Sequence, residues 1–305
     1  MRLKTFRLPG HFGASIEDLD VRGLDDDGVR DLFEALHLHR FIVLKGQQLS
    51  NAEYVGFARR WGRPVELIAR KNVLDEHPEI IVQSNKAATP GFVRNVANHW
   101  HCDSSYEEEA ASVTMLYGIE SPEHDGTTRF ADLVAAYDDL PASDRHRYDT
   151  LRVRHATAAA EMLPDEHISR PEDAPEDIRR TIVRLDPVLH PLVRIHPVDG
   201  RKALYGLGGS AFAIEGLSPE EGRALILDLR RHATQPHFCA SYKLMPGDIL
   251  IWDNLSAMHR ATPIEYSDAP GCRRLNYRIS LKGLPPLLEG GTGAESQLEG
   301  ATGDA

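Results

Sequence analysis

No apolar run in the chain approaches the roughly 18 to 20 residues needed to span a bilayer, which excludes a transmembrane helix. The amino terminus, MRLKTFRLPGHFG, lacks the apolar h-region of a secretory signal, so the expected location is cytoplasmic. Cysteine is scarce. Cys102, Cys239 and Cys272 are odd in number and lack CxxC spacing, which suggests neither a disulfide framework nor a structural zinc site. Basic charge is in deficit: 35 Lys and Arg face 46 Asp and Glu, a formal net charge of −11. Binding to a phosphate backbone draws its affinity from clustered Lys and Arg, so no nucleic-acid partner is expected. A phosphate loop is also missing, because neither GxGxxG nor GxxxxGK follows the FIVL run at 41–44.

What is present can bury a sizeable core and stay in solution: 305 residues, 41% hydrophobic and 27% charged. DDDGVRDLFEALHLH has helical periodicity, FIVLKG is a short buried-strand pattern, and SNAEYVGFARRWG opens a second helix on a capping box from Ser50 to Glu53. HPEIIVQSN reads as a further strand. Strand signals then dominate in SVTMLYGIE, GTTRFADL, RKALYGL, DILIWDN and RRLNYRISLKG, each bounded by Gly, Pro or Asp. Helices are expected in AAYDDLPASDRHRYDTL and in LSPEEGRALILDLRRHAT, the latter capped by Ser218 and Glu221. Strands interrupted by helices without a βαβ rhythm suggest a mixed α/β chain whose core is a β-sandwich or barrel with helices outside. One domain is expected over 1–284. The acidic, Pro-rich stretch at about 160–185 reads as an insertion, either a lid or a surface excursion, and the Gly-rich 285–305 as a disordered tail.

Residues 98–106 read NHWHCDSSY. His99, His101 and Asp103 alternate, and in an extended chain that spacing puts side chains on one face. His-x-Asp alone does not separate metal ligands from a polar strand end, because chance supplies about one such triplet in a chain with this much His and Asp. The second signal lies half a chain away, in PGDILIWDNLSAMHRAT, where His259 sits just past the DILIW strand. Two His and one carboxylate form the set that binds non-haem Fe(II) on one face and leaves positions open. A closed β-architecture is needed to bring them together.

The third signal is RRLNYRISLKG. In a strand, Arg274, Asn276, Arg278 and Ser280 share one face, and Leu275, Tyr277, Ile279 and Leu281 the other. Guanidinium groups turned inward call for an anion; on an edge strand they would be ordinary surface arginines.

WHCDSSY, DGTTRFADLVAAYDDLP, HPLVRIHPVDGRKALY, LSPEEGRALILDLRRHATQPHF, PGDILIWDNLSAMHRAT and RRLNYRISLKG, in this order and spacing, resemble the taurine dioxygenase and 2,4-dichlorophenoxyacetate dioxygenase family. The resemblance runs from about residue 20 to residue 283. It implies a double-stranded β-helix, or jelly roll, with flanking helices. It also implies an Fe(II)- and 2-oxoglutarate-dependent oxygenase using O2 as cosubstrate and releasing succinate and CO2. By position, His101, Asp103 and His259 match the iron ligands, and Thr128 and Arg274 match the residues that hold the distal carboxylate of 2-oxoglutarate. Arg278 matches the arginine that faces the substrate anion in taurine-type enzymes. Related halogenating enzymes carry a small residue where Asp103 stands, so oxygen insertion or desaturation is favoured.

The chain departs from taurine-type enzymes in GRPVELIARKN, which has no histidine between Gly62 and Asn72; taurine itself is not the expected substrate. Arg70, Lys71 and Arg94 either face the site or are solvated. Tyr106 either lines the substrate pocket or packs, and His99 is read as a rim or supporting residue. Gly208 and Gly209 in YGLGGSAFAIEG are read as room for a bulky substrate. The expected substrate is a small anionic or zwitterionic molecule whose C–H bond is hydroxylated. Desaturation or oxidative decarboxylation in natural-product tailoring is the alternative, followed by a non-catalytic anion-binding member of the fold. A homo-oligomer remains open, since relatives are often dimers or tetramers.

Overall fold

The computed structural model describes residues 3–65, 72–86, 98–156, 186–265, 267 and 269–289. The expected insertion at 160–185 and the basic residues Arg70, Lys71 and Arg94 lie outside these.

Strand parity divides the core into layers. Strands β3 (Phe41–Leu44), β6 (Val113–Glu120), β14 (Ile249–Asp253) and β16 (Leu275–Lys282) lie in an eight-stranded sheet of order β1-β2-β3-β14-β6-β16-β4, with β5 (Ile81–Ser84) also on β16. Here β1 is Lys4–Arg7, β2 is Ala14–Glu17 and β4 is Arg63–Pro64. Ile42, Leu44, Met115, Tyr117, Ile249, Ile251, Ile279 and Leu281 face outward and join one apolar cluster with two helices. The alternate residues Phe41, Val43, Leu116, Leu250 and Trp252 face inward and form another cluster with Phe130. This is the period-two division that a two-sided sheet requires.

The covering helices form where the sequence signals them. Helix α1 (Asp26–His39) starts on Asp25, whose carboxylate accepts from the Gly28 amide at 2.8 Å, and buries Val29, Leu32, Phe33 and Leu36 on one stripe. Its acidic first turn, Asp26 and Asp27, complements the helix dipole. Helix α2 (Asn51–Arg59) begins on the expected Ser50–Glu53 capping box.

The smaller sheet, β13-β7-β15, faces the inner layer; β7 is Thr127–Asp132, β13 Cys239–Lys243 and β15 Ala257–Ala261. Its outer residues Ala131 and Met258 pack with α3 (Leu133–Asp138) and α5 (Pro219–Ala233). The long helix expected around residues 135–151 is instead two, α3 and α4 (Ala142–Tyr148), because Pro141 cannot continue a helix from Leu140. The result is a jelly roll with helices on its outer faces. A further three-stranded sheet, β12-β8-β9, joins β8 (Arg152–His155), β9 (Val188–Pro191) and β12 (Ala211–Ile214). The hairpin of β10 (Val193–Ile195) and β11 (Lys202–Leu204) stands beside it.

The expected tail starts at 285, yet Pro286–Glu289 form a short helix, α6, opened by proline, with Leu288 against the outer cluster. Residues 290–305 lie outside those described. No described helix is long and apolar enough to cross a membrane.

Buried His155 on β8 makes stability depend on pH. Burial, with His190 and Arg194 adding to it, pushes its imidazole down from 6.5 to about 3. Between those values the unfolded chain binds the proton and the folded chain does not. Stability is therefore full above about pH 6.5 and is lost as pH falls toward 3. Chemical denaturation from pH 7 to 4 should show that fall, and His155→Gln should make it less steep, with His99 and His259 sustaining the remainder. The slope remaining unchanged in that variant would assign the acid sensitivity elsewhere.

Candidate functional site

His101 and His259 form a hydrogen-bonded antiparallel pair, with His101 N to His259 O at 3.0 Å and His259 N to His101 O at 2.9 Å. Residues so paired project to the same face, and the two rings lie 4.2 Å apart between centroids. Asp103 follows two residues later, its Oδ1 3.6 Å from His101 Nε2 and 3.7 Å from His259 Nε2. The three groups offer donor atoms all within 4.8 Å of one another. One detail differs from expectation: His259 lies within its own strand, β15, reached by a turn at 253–256, and is not at the end of β14. Parity on β15 turns it inward, opposite Met258.

The surroundings set the protonation states. Nδ1 of His101 donates to the His99 carbonyl at 2.9 Å, which leaves the Nε2 lone pair toward Asp103. Burial, with His101 adding to it, pushes the His259 imidazole well below its ordinary value. Burial alone would raise the Asp103 carboxyl, but the Arg278 guanidinium and neighbouring imidazoles outweigh it and hold the group well below the carboxylate range. Arg278 Nη2 stands 2.7 Å from Asp103 Oδ1. Neutral imidazoles beside an ionised carboxylate are the ligand forms a divalent cation takes, and His259 Nδ1 is buried with no hydrogen-bond partner among the described residues. The N2O donor set fits Fe(II).

A hydrogen-bonded frame holds the carboxylate. Asp103 Oδ2 accepts from Thr114 Oγ1 at 2.7 Å, and the Asp103 amide donates to Asn254 Oδ1 at 3.2 Å. Asn254 Oδ1 also accepts from Trp252 Nε1 at 3.1 Å, while its Nδ2 donates to Thr114 Oγ1 at 3.0 Å; Ser280 Oγ is 3.1 Å from that hydroxyl. The Trp252 ring lies 4.6 Å from the His259 ring, tilted by 53°, and Phe130 lies 6.3 Å away, an apolar wall on that side. Sequence reasoning quoted Asn254 and Thr114 without assigning them work. No local signal marked them: Thr114 is a single polar residue in an apolar strand, and Asn254 lies in the turn after β14.

Thr128 lies on β7 opposite Ala261 of β15, two residues beyond His259, so Thr128 and His259 project from the same face of the sheet. Arg274 stands immediately before β16, its amide donating to Asn85 Oδ1 at 2.6 Å. Beside it the register of β16 with β6 shifts, with Ile119 as the extra residue on β6, while Leu275 and Asn276 pair regularly with β5. Tyr106 is half-buried near Asp103 and Arg278, and burial pushes its hydroxyl up. His99 contributes its carbonyl to His101. Burial, reinforced by His101 and Arg230, drives its own ring down to about 3.

Gly208 and Gly209 do not open a pocket. A Cβ at 208 would lie 2.7 Å from His101 Cα and 2.9 Å from the Trp100 carbonyl, and one at 209 would lie 2.5 Å from the His99 ring. Glycine is needed so that this loop can pack on the strand carrying His101. Gly208→Ala should therefore weaken metal binding by roughly tenfold or more, an effect on the scale of other supporting contacts. Isothermal titration with Co(II) measures it, and wild-type affinity would contradict this packing role.

Comparison with known proteins agrees with this architecture. The chain is 33% identical over 277 residues to the alpha-ketoglutarate-dependent 2,4-dichlorophenoxyacetate dioxygenase of Cupriavidus pinatubonensis, covering 86% of this chain and 93% of that one. It is 30% identical over 269 residues to pentalenolactone F synthase of Streptomyces arenae, covering 83% and 87%. Among solved structures, AAD-2 in complex with Mn(II) and N-oxalylglycine superposes with a TM-score of 0.74 at 28% identity, covering 94% of this chain and all of that one. The family model of taurine catabolism dioxygenase TauD, TfdA matches residues 4–279, a span containing His101, Asp103, His259 and both arginines. By fold, sequence and the content of that span, the chain belongs to the TauD, TfdA dioxygenase family.

Proposed function

We propose that this alpha-ketoglutarate-dependent dioxygenase binds Fe(II) through His101, Asp103 and His259 and 2-oxoglutarate through Thr128 and Arg274. In this reading it oxidises a C–H bond of a small anionic or zwitterionic substrate, most simply by hydroxylation. The observation that carries the reading is the convergence of two imidazoles and one carboxylate at 3.6–3.7 Å. When bound, the iron with 2-oxoglutarate and O2 supplies oxidative decarboxylation to succinate and CO2, coupled to substrate oxidation.

The chain's own residues do the rest. Thr114 and Asn254 fix the Asp103 carboxylate, and the His99 carbonyl fixes the His101 tautomer. Arg274 suits a distal carboxylate because its planar fork pairs with both oxygens at once, which a lysine cannot do. Arg278 balances the charge of Asp103 and has its Nε buried with no hydrogen-bond partner among the described residues, which supports a second role toward a substrate anion. Trp252 and Phe130 limit water beside His259. With the Asp103 carboxylate present, halide has no vacant ligand position, and oxygen insertion or desaturation is favoured.

Arg278 and the aryloxyacetate in the name of the Cupriavidus relative support an anionic substrate. The pentalenolactone F synthase relative favours a second reading, a tailoring oxidation in natural-product biosynthesis. Three free cysteines support a cytoplasmic setting, and the acidic net charge argues for small-molecule rather than nucleic-acid partners. We take 1–284 as one domain, and a homo-oligomer fits the reading. Succinate formation, measured across aryloxyalkanoates, alkyl sulfates, sulfonates, phosphonates and amino-acid derivatives, tests the substrate class. Stimulation by anionic members is expected; stimulation only by neutral compounds would overturn it.

A further inference from the structure

A second buried group of His and Asp lies outside the site. Among the described residues, His37, His196 and Asp253 also bring donor atoms within 4.8 Å of one another, and all three are buried. His196 Nε2 stands 3.2 Å from Asp253 Oδ2, both side chains 2% exposed, and the His37 ring lies 4.5 Å from that of His196. The proton positions follow from the neighbours. Nδ1 of His196 accepts from the Val198 amide at 3.3 Å, with Asp199 Oδ1 at 3.4 Å. Nε2 of His196 thus faces Asp253 Oδ2 at ion-pair distance, and it is otherwise buried with no hydrogen-bond partner among the described residues. His37 donates Nδ1–H to the Phe33 carbonyl at 2.6 Å, and burial keeps its ring below the ordinary value.

Asp253 is tied to the site by the chain itself. Its Oδ1 accepts from the Leu255 amide at 2.8 Å and its Oδ2 accepts from Ser256 Oγ. These bonds shape the turn at 253–256, which joins β14 to β15. The next residue, Asn254, holds the Asp103 amide and Thr114, and His259 lies three residues past the turn. His196 is anchored separately, its amide donating to Arg201 O at 2.8 Å and its carbonyl accepting from Gly200 N at 2.9 Å.

We propose that His196 is a positioning residue that acts through Asp253. By holding that carboxylate in place it fixes the turn presenting Asn254 to Asp103 and setting His259, so metal affinity depends on a buried imidazole outside the three-residue site. The buried carboxylate needs this partner, since without it the Leu255 and Ser256 bonds would have to hold an uncompensated charge.

The inference rests on the reading of His101, Asp103 and His259 as the metal ligands, and the test separates the two. Co(II) is titrated into full-length wild type, His196→Ala, His196→Gln and His259→Ala, recording stoichiometry, Kd and the visible absorption of the bound ion. Wild type should bind one equivalent, and His259→Ala should lose it. His196→Ala should bind at least tenfold more weakly with an altered spectrum, and His196→Gln, whose amide can donate to Asp253, should recover most of the loss. Should His196→Ala not fold, Asp253→Asn, which keeps an acceptor for Leu255, carries the same expectation. Wild-type Kd and spectrum in folded His196→Ala would overturn the proposal, as would a second equivalent of Co(II) in wild type that disappears in that variant. Unchanged binding in His259→Ala would instead remove the ligand reading.

Discussion

Asp103→Ala is expected to abolish succinate formation and to lower Fe(II) affinity by well over a hundredfold. Loss of supporting contacts alone typically costs about 10–100-fold, and here a proposed ligand itself is removed. The change also disturbs the charge balance. Arg278 points its Nη2 at the carboxylate from 2.7 Å, with both ring nitrogens close by. Removing one member of a buried pair costs about 3–5 kcal/mol, and the lower end applies because the Arg278 side chain is 23% exposed. The variant should thus unfold at lower temperature than wild type even without metal. Asp103→Asn keeps the volume and the Asn254 contact to the backbone, so it separates lost charge from lost packing. Anaerobic Fe(II) titration and thermal unfolding of both variants measure these effects. Near wild-type affinity in Asp103→Ala would contradict the assignment.

Arg274→Ala is expected to weaken 2-oxoglutarate binding by roughly 30-fold or more while leaving Fe(II) binding intact. A truncated partner of a buried, hydrogen-bonded charge pair costs about 2–5 kcal/mol, and each 1.4 kcal/mol is tenfold. The fold should survive, because the Arg274 backbone is held by Asn85 through amides on both sides: Arg274 N to Asn85 Oδ1 at 2.6 Å and Asn85 N to Arg274 O at 3.3 Å. Arg274→Lys should recover part of the loss, since lysine restores the charge without the bidentate fork. Equilibrium titration of 2-oxoglutarate into the metal-loaded variants reads the change directly. Unaltered cosubstrate affinity in Arg274→Ala would remove this residue from the site.

The elements that carried the site were legible because strong local signals mark them. The capping boxes at Ser50 and Ser218 start helices where expected, and the apolar alternation of β6, β14 and β16 sorts side chains to two faces as the period of two requires. His101, Asp103 and His259 were legible as a set through residue type and spacing. Their closeness was not, because it depends on the antiparallel pairing of His101 with His259 across half the chain. Short strands such as β1, β8 and β13 escaped notice: KTFR, RVRH and CASYK have little apolar pattern, and they are strands because of the partners they pair with. The frame of Asn254, Thr114 and Ser280 escaped for a related reason. Each is an unremarkable polar residue in sequence, and only the stacking of β6, β14 and β16 puts the three around one carboxylate. Gly208 was misread because a glycine that gives room to a ligand and one that gives room to the protein's own backbone look alike in sequence.

The most direct test of where the chemistry resides is an anomalous-scattering crystal structure of the Fe(II)-loaded protein, collected under anaerobic conditions at the iron edge. The arrangement of ligands predicts one peak per chain, about 2.0–2.2 Å from His101 Nε2, an Asp103 carboxylate oxygen and His259 Nε2. A peak at His37, His196 and Asp253, or none near Asp103, would contradict the account.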